Sequence, residues 1–484
     1  MSKPWDKQRL LHSLKRAKGQ LKQEAGRVGE QVSVNLSRLL ERRVVVGITG
    51  FSGSGKSTLI TSLINQLLQF QNASIPGFNP ALSNRIRWVK YHAGATGFER
   101  NFDYERYYQN LACDQGEWPA STVDVSAATL EIGLTRRPHS KWFAPREYSL
   151  WVELRDYPGE WLMDLLLADM SFIDWCAWCQ ARFDRYSHLP EIQALRQTDP
   201  VKQAEPQRLV HLVERYEAMA KAVFTQAQDL RFVLPGRVLI PQEFNLNKMP
   251  FVPLYLRDHS KAELIAAPDD SYFYVMQRNF ERYKTQWVKP FVEKVFSGLD
   301  RQLILVDVLQ ALHQGPEFTE GLVDALAGIS ESFKYGKSWP FLQWAMPKID
   351  KVLFAATKID QIVASEHEAV RQLMGVLVKK AYTQTQQAGA APAIEAIAAV
   401  RASVEQEYAG HAGIVGMSVE GKPVGFIHPS VPQSWPSDAH WEAFSHWQPP
   451  QLLPPKGLNY RNHDALPHIR MDSLINSLLG DFCP

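Results

Sequence analysis

The sequence predicts an α/β fold in which a mostly parallel sheet is flanked by helices and interrupted by a mainly helical inserted domain. Three observations predict it. Val44–Thr49 is a short apolar run opened by β-branched residues, and a glycine-rich turn follows it. The next stretch, STLITSLINQLLQF, places Leu59, Leu63, Leu67 and Phe70 at helical spacing. Further apolar runs recur at 149–154, 302–308 and 351–356. Between the first two of these runs, residues 161–300 form a segment too long for a loop, with helical periodicity at 209–228 and 272–286.

The glycine turn is the most informative stretch. Gly50-Phe51-Ser52-Gly53-Ser54-Gly55-Lys56-Ser57 matches G-x-x-x-x-G-K-[ST] in full. A strand before it and a helix after it are the context this motif needs. Glycines let backbone N–H groups turn inward as a nest around phosphate oxygens, and the helix start adds its dipole and unpaired donors. Gly50, Ser52, Gly53, Ser54 and Gly55 are therefore the candidate cradle. Lys56 suits the β- and γ-phosphates, and the Ser57 hydroxyl suits Mg²⁺. Lys56 is expected to be a solvent-facing cation.

At 484 residues, 45% hydrophobic and 21% charged, the chain has an ordinary globular composition and room for two or more domains. A net charge of +2 gives no argument for nucleic acid, and none is expected as a partner. Four cysteines give no disulfide framework, which fits a reducing compartment. Cys176 and Cys179 form a lone CxxC in an apolar, Trp-rich run and read as buried thiols on one helix face. No apolar run is long enough for a membrane span, and the N-terminus lacks the apolar core of a signal peptide. Residues 1–43 hold eleven Lys and Arg against four acids, a net of +7. Leu10, Leu14, Leu21, Val28 and Leu36 give this arm an amphipathic helical pattern, which Gly19, Gly26 and Gly29 weaken. It reads as a helix packed on the domain, or as a basic arm for an anionic membrane surface or a membrane-associated protein.

Taken in order, 71–85 reads as loop and 98–111 as an aromatic helix. Ala128–Leu134 and Ser149–Leu154 read as an antiparallel hairpin. The second strand ends in Arg155-Asp156-Tyr157-Pro158-Gly159-Glu160. An acid at this place can hold Mg²⁺ through water, and Gly159 can bring its N–H to a γ-phosphate. Within the insertion, 232–256 shows no clear period. The sheet resumes at 302–308 and 351–356, and the latter strand ends in Thr357-Lys358-Ile359-Asp360. A carboxylate there can accept from guanine N1–H and the exocyclic amine, a donor pair that adenine lacks. The Lys358 stem can pack along the base. A helix over 366–388 and a sixth strand over 395–400 follow, with Arg401–Ser403 at the place of a further base contact. A hairpin within 415–432, a Pro- and Trp-rich loop and a terminal helix complete the chain.

The ordered set GFSGSGKS, DYPGE and TKID, with a threonine ahead of the first hairpin strand, resembles the Ras-like GTPases of the P-loop NTPase class over 44–160 and 300–405. VVVGITGFSGSGKSTL, LRDYPGEWLMDLLLAD and LPHIRMDSLINSLLGD are similar to the YcjX family of bacterial stress-linked P-loop proteins, over nearly the whole chain. The resemblance implies phosphate contacts from Gly53 to Thr58 and Mg²⁺ at Ser57, Thr122 and Asp156. It implies the γ-phosphate at Asp156 and Gly159, and guanine at Thr357, Lys358 and Asp360. Lys56, Thr122 and Glu160 are then the catalytic candidates. It also implies GTP hydrolysis to GDP and a cytoplasmic, stress-linked role, peripheral to the inner membrane if the arm reaches it. The organisation becomes a basic arm (1–43), a first part of the GTPase domain (44–160), the helical insertion (161–300), and a second part with a C-terminal extension (301–484).

Departures from the pattern are specific. Thr357 stands where asparagine is usual, and Glu160 where many such enzymes carry glutamine. Pro119, three before Thr122, stands where some carry a cis arginine; Ser121 and Thr129 rival Thr122 itself. Arg100 and Arg106 remain as sources of positive charge, while Arg155 should point to the opposite side of its strand from Asp156. An ATPase, or a nucleotide-dependent scaffold with incidental hydrolysis, are the alternative readings.

Overall fold

The computed structural model describes residues 42–483 except 95–97, 99, 114–115, 121–123, 137–146, 169, 184–186, 226–234, 240–245, 333–348 and 409. Almost all of the basic arm therefore lies outside the described residues. Arg42 and Arg43, counted with the arm in the sequence, are instead the first residues of a strand, β1 (Arg42–Gly50). The glycine turn leads into α1 (Lys56–Leu68). Leu59, Ile60, Leu63, Ile64 and Leu67 of α1 are buried, worth roughly 8–15 kcal/mol as an upper bound at 1.5–3 kcal/mol each.

Next comes β2 (Ile86–Ala93), a strand absent from the sequence reading. It is an edge strand whose residues are mostly exposed, so it carries little apolar alternation. The aromatic helix α2 (Tyr104–Ala112) is shorter than 98–111, because the Asp103 side chain caps it by accepting from Arg106 N–H. β3 (Ser126–Thr135) and β4 (Glu147–Asp156) pair antiparallel, as the sequence indicates.

Helices dominate the following stretch, with α3 (Phe172–Phe183), α4 (Pro206–Thr225) and α5 (Tyr272–Tyr283) the longest. Cys176 and Cys179 on α3 are fully buried, and burial pushes the Cys176 thiol up. The helical run continues past α5 to Phe296 through two π-type turns.

The sheet resumes with β5 (Arg301–Val306), followed by α6 (Val308–Gln314) and α7 (Pro316–Ser332). β5 stops before Asp307 because that side chain caps α6, accepting from Gln310 N–H at 3.0 Å. β6 (Lys351–Ala356) matches its sequence bounds. The single helix read over 366–388 is two, α8 (His367–Leu377) and α9 (Lys379–Gln387), broken at Val378. The strand read at 395–400 is shifted to β7 (Ala391–Ala396). Pro392 falls inside β7, which is tolerated on an edge strand. A three-stranded antiparallel sheet follows, β8 (Ser403–Tyr408), β9 (His411–Met417) and β10 (Pro423–Phe426), and α10 (Met471–Leu479) closes the chain.

The main sheet runs β2-β3-β4-β1-β5-β6-β7. Its β4-β1-β5-β6-β7 pairings are all parallel, and β2 and β3 add an antiparallel edge. This mostly parallel sheet flanked by helices is the α/β fold of the P-loop NTPases. One face packs on α1, α2 and α10. The other packs directly on the helical insertion: Val45, Tyr157 and Ile304 share one continuous core with Phe172, Trp175, Phe251 and Phe280.

α10 is fastened to the sheet by a buried cation. Arg301 of β5 donates through Nη1 to Leu478 O and to Asp481 Oδ1 at 2.8 Å, and through Nε to Asp350 at 3.2 Å. Arg301→Met keeps much of the volume and strands these acceptors. It should lower stability by about 2–3 kcal/mol, read as a lower urea midpoint. A midpoint equal to that of the wild type would show that α10 is held by packing alone.

Candidate functional site

The carboxyl ends of β1, β5, β6 and β7 converge on one cavity of about 410 Å³, and Asp156, Gly159 and Glu160 after β4 are not among its lining residues; this is the place where open α/β sheets bind ligands. Its floor is the glycine turn. Gly53 and Gly55 adopt φ of 83° and 85°, where a side chain would be strained. They aim the turn into α1. Lys56 does not face solvent as expected. It is 5% exposed, and its Nζ donates to the Gly50 carbonyl at 2.8 Å. Ser57 is buried at the start of α1, with its hydroxyl directed to Ala120 O at 3.5 Å.

Asp156 ends β4 beside Ile48 of β1, and it is 2% exposed. Gly159 comes against the glycine turn. Its N–H donates to Gly50 O at 3.2 Å, so in this structure it faces that carbonyl. Glu160 is buried, and one carboxylate oxygen accepts from Ser52 N–H at 2.9 Å. Its other oxygen has no hydrogen-bond partner among the described residues. Thr122 and its rival Ser121 lie outside the described residues. Thr129, the other rival, sits in β3 with its hydroxyl donating to Gly94 O at 2.8 Å.

The far wall is built by the end of β6. Thr357 is buried, and its N–H donates to Val306 O at 3.0 Å. Lys358 has φ 60°, a left-handed conformation that turns the next residues back toward the cavity. Its Nζ pairs with Asp307 at 2.7 Å. Asp360 accepts from Ala402 N–H at 2.9 Å, and its own carbonyl accepts from the Ser403 hydroxyl. Burial raises Asp360 to about 6, although the Ala402 amide and the charges of Lys358 and Arg401 favour the carboxylate. Thus the glycine turn and the TKID turn line opposite parts of one cavity, joined by Ala399, Val400 and Ala402.

The sequence model of the YcjX-like family, DUF463, matches residues 44–483. The chain belongs to this family. It is 28% identical over 473 residues to a protein of Shewanella oneidensis named Ras-like GTPase YcjX, spanning 92% of this chain and 96% of that protein. It is 27% identical over 481 residues to the Escherichia coli protein of the same name, spanning 94% and 99%.

Two parts of the cavity in this YcjX-like chain were missed from sequence. Asp307, read as the end of a strand, lines the cavity and holds Lys358. Its signal was an acid closing an apolar strand, the same pattern that singled out Asp156. Gln448–Leu452, part of the Pro-rich loop, roofs the cavity. Trp118 Nε1 donates to Leu452 O at 2.6 Å and Gln361 Nε2 to Pro450 O at 3.0 Å. No helix among the described residues is long and apolar enough to cross a membrane.

Gly159 has no room for a side chain. A Cβ there would lie 2.7 Å from Gly50 C and 2.8 Å from Gly50 O. Gly159→Ala should therefore force the DYPGE turn off the glycine turn and cost about 1–3 kcal/mol, seen as a lower thermal midpoint without nucleotide. An unchanged midpoint would show that the two turns separate freely.

Proposed function

We propose that this chain binds GTP with Mg²⁺ and hydrolyses it to GDP and phosphate. The observation that carries the reading is the single cavity with a phosphate-type glycine turn on one side and a buried, strand-end carboxylate, Asp360, on the other. Its size suits a nucleotide. The names of the two relatives agree with it.

The roles follow from the chemistry. The backbone of Gly50, Ser52, Gly53, Ser54, Gly55 and Thr58 cradles the α- and β-phosphates, and Lys56 exchanges Gly50 O for the β- and γ-phosphates. Ser57 and Asp156, with Thr122, offer a hydroxyl and carboxylate set that suits Mg²⁺, which takes few protein oxygens beside phosphate and water. When bound, the ion would neutralise charge developing on the phosphates. Gly159 N–H serves the γ-phosphate and Glu160 orients the attacking water. Asp360 accepts from guanine, with Thr357 and Lys358 shaping that pocket. Gly159 and Glu160 both hold the glycine turn in this structure. Both contacts must be exchanged before the water is oriented, which favours a slow basal rate and a regulatory, stress-linked role over a metabolic one. The basic arm is a docking element for a membrane-linked partner or an anionic surface.

Because Lys56 is buried, Lys56→Met keeps the stem and removes only the charge. It should weaken binding of a fluorescent GTP analogue roughly 10- to 150-fold, from the loss of charged hydrogen bonds. Wild-type affinity in this variant would place the phosphates elsewhere.

Asp360 gives a pH signature. Its folded value is raised to about 6. The carboxylate that accepts from guanine is present above that pH and is lost as pH falls through it. The ratio of GTP to ATP affinity, in which phosphate titration cancels, should fall by roughly tenfold per unit below about pH 6. In Asp360→Asn that slope should vanish, with xanthine nucleotide favoured. A flat ratio in the wild type would remove Asp360 from base recognition.

A further inference from the structure

The DYPGE turn is gripped from two sides. On one side it meets the glycine turn: Gly159 N–H donates to Gly50 O, and Glu160 accepts from Ser52 N–H. Behind it, the turn runs into Asp164, which is 1% exposed and faces the helical insertion. One Asp164 oxygen accepts from Gly236 N–H at 2.6 Å, and the other accepts from the Tyr283 hydroxyl at 2.5 Å. Arg237 lies 3.7 Å from that second oxygen and stacks its guanidinium on Trp161, 3.5 Å from the ring centre. Gly236 presses on Glu160 itself: a Cβ there would fall 2.0 Å from the Glu160 carbonyl oxygen. Phe291, further along the insertion, meets Tyr157 and Trp161 edge-on at 5.6 and 5.9 Å.

We infer that Asp164 is a positioning residue: through Gly236, Arg237 and Tyr283 it anchors the Glu160 turn to the helical insertion, so that the insertion sets where the Glu160 carboxylate stands relative to the phosphate loop. This rests on the reading of Glu160 as the residue that orients water. The physical reason is rigidity. The short helix Glu160–Met163 makes too few bonds of its own to hold a side chain in place. Four independent contacts from the insertion supply what it lacks. The buried carboxylate makes these contacts specific, because leaving either oxygen unmet costs more than any alternative arrangement returns. Burial raises Asp164 to about 6, and the Arg237 charge opposite it favours the carboxylate. Anything that shifts the insertion, a partner included, thereby reaches the phosphate loop through one carboxylate and four residues of chain.

The test uses the full chain, with Tyr283→Phe, which removes one donor and little volume, and Asp164→Asn, which keeps the shape and removes the charge. Hydrogen exchange is followed in the peptide spanning Phe51–Gly53, and single-turnover GTP hydrolysis is compared with the affinity for a non-hydrolysable GTP analogue. Faster exchange at Ser52, with hydrolysis falling roughly 10- to 100-fold and affinity within about twofold, is expected for both variants at temperatures well below their melting. A merely structural role lowers the melting temperature and speeds exchange in the insertion, but leaves exchange at Ser52 and the rate at saturating GTP untouched. That outcome overturns the inference. Glu160→Ala is run in parallel. If it hydrolyses GTP like the wild type, or if the wild type does not hydrolyse GTP at all, the functional reading fails. The exchange at Ser52 then decides the anchoring alone. Should Asp164→Asn fold poorly, Tyr283→Phe carries the same comparison.

Discussion

The carbonyl of Gly50 is the point on which the site depends. It ends β1, the strand held between β4 and β5 at the centre of the seven-stranded sheet. It accepts from the Lys56 ammonium and from the Gly159 amide. One oxygen thus joins the motif that reads phosphate to the motif that follows β4. A charge-assisted bond to Lys56 is stronger than a neutral one, so the lysine is stored in place, and a phosphate must offer more than this carbonyl does. Triphosphate oxygens do so. For the proposed nucleotide, binding and the release of the DYPGE turn would be parts of one event, because both act on the same acceptor.

The core makes that event a matter for the whole molecule. The sheet has two buried faces, and the helical insertion covers one of them together with α6 to α9. Arg155 shows how closely it is joined. Its side chain lies in β4 but donates to Val295 O and Ser297 O at the end of the insertion, and to Glu153 at 2.8 Å. An insertion hung from two linkers would move with little cost. One that shares Tyr157, Phe291 and Trp161 with the sheet moves only by repacking, and close-packed interiors switch between arrangements instead of deforming smoothly.

Much of this was legible in the sequence where local rules and global fold agree. The phosphate turn, β4 with its acid, and β6 with TKID each combine an apolar run with a polar terminus, and each was found within a residue or two. β2 was not found, because an edge strand with both ends of its pattern in solvent has no periodic apolar signal. β7 was displaced because Pro392 disguises a strand that needs no amide on its outer side. Lys56 was misread because the motif names a phosphate ligand and says nothing of what the ammonium does otherwise. The cavity's roof at Gln448–Leu452 and the grip of Gly236 and Tyr283 on Asp164 join residues tens to hundreds of positions apart. No local spacing encodes such contacts.

The remaining question of chemistry is the source of positive charge for a transition state that Glu160 would otherwise burden with a further negative one. The arginines that could supply it are not equivalent. Arg155 is buried among two carbonyls and Glu153, and withdrawing it would strand both carbonyls and leave Glu153 to Arg43 alone. Arg237 is equally committed, stacked on Trp161 and set beside Asp164. Arg100 and Arg106 are held differently. Arg100 pairs with Asp124 at 2.8 Å and Arg106 with Asp103 at 3.4 Å, with both guanidinium groups largely in solvent. Surface pairs of this kind contribute about 0–1 kcal/mol, so these two pairs break at less cost than the buried contacts of Arg155 and Arg237. Both arginines also lie in the chain that runs toward Thr122. For the reaction proposed above, Arg100 and Arg106 are therefore the arginines that exchange partners at least cost, and the buried arginines stay where they hold the insertion to the sheet.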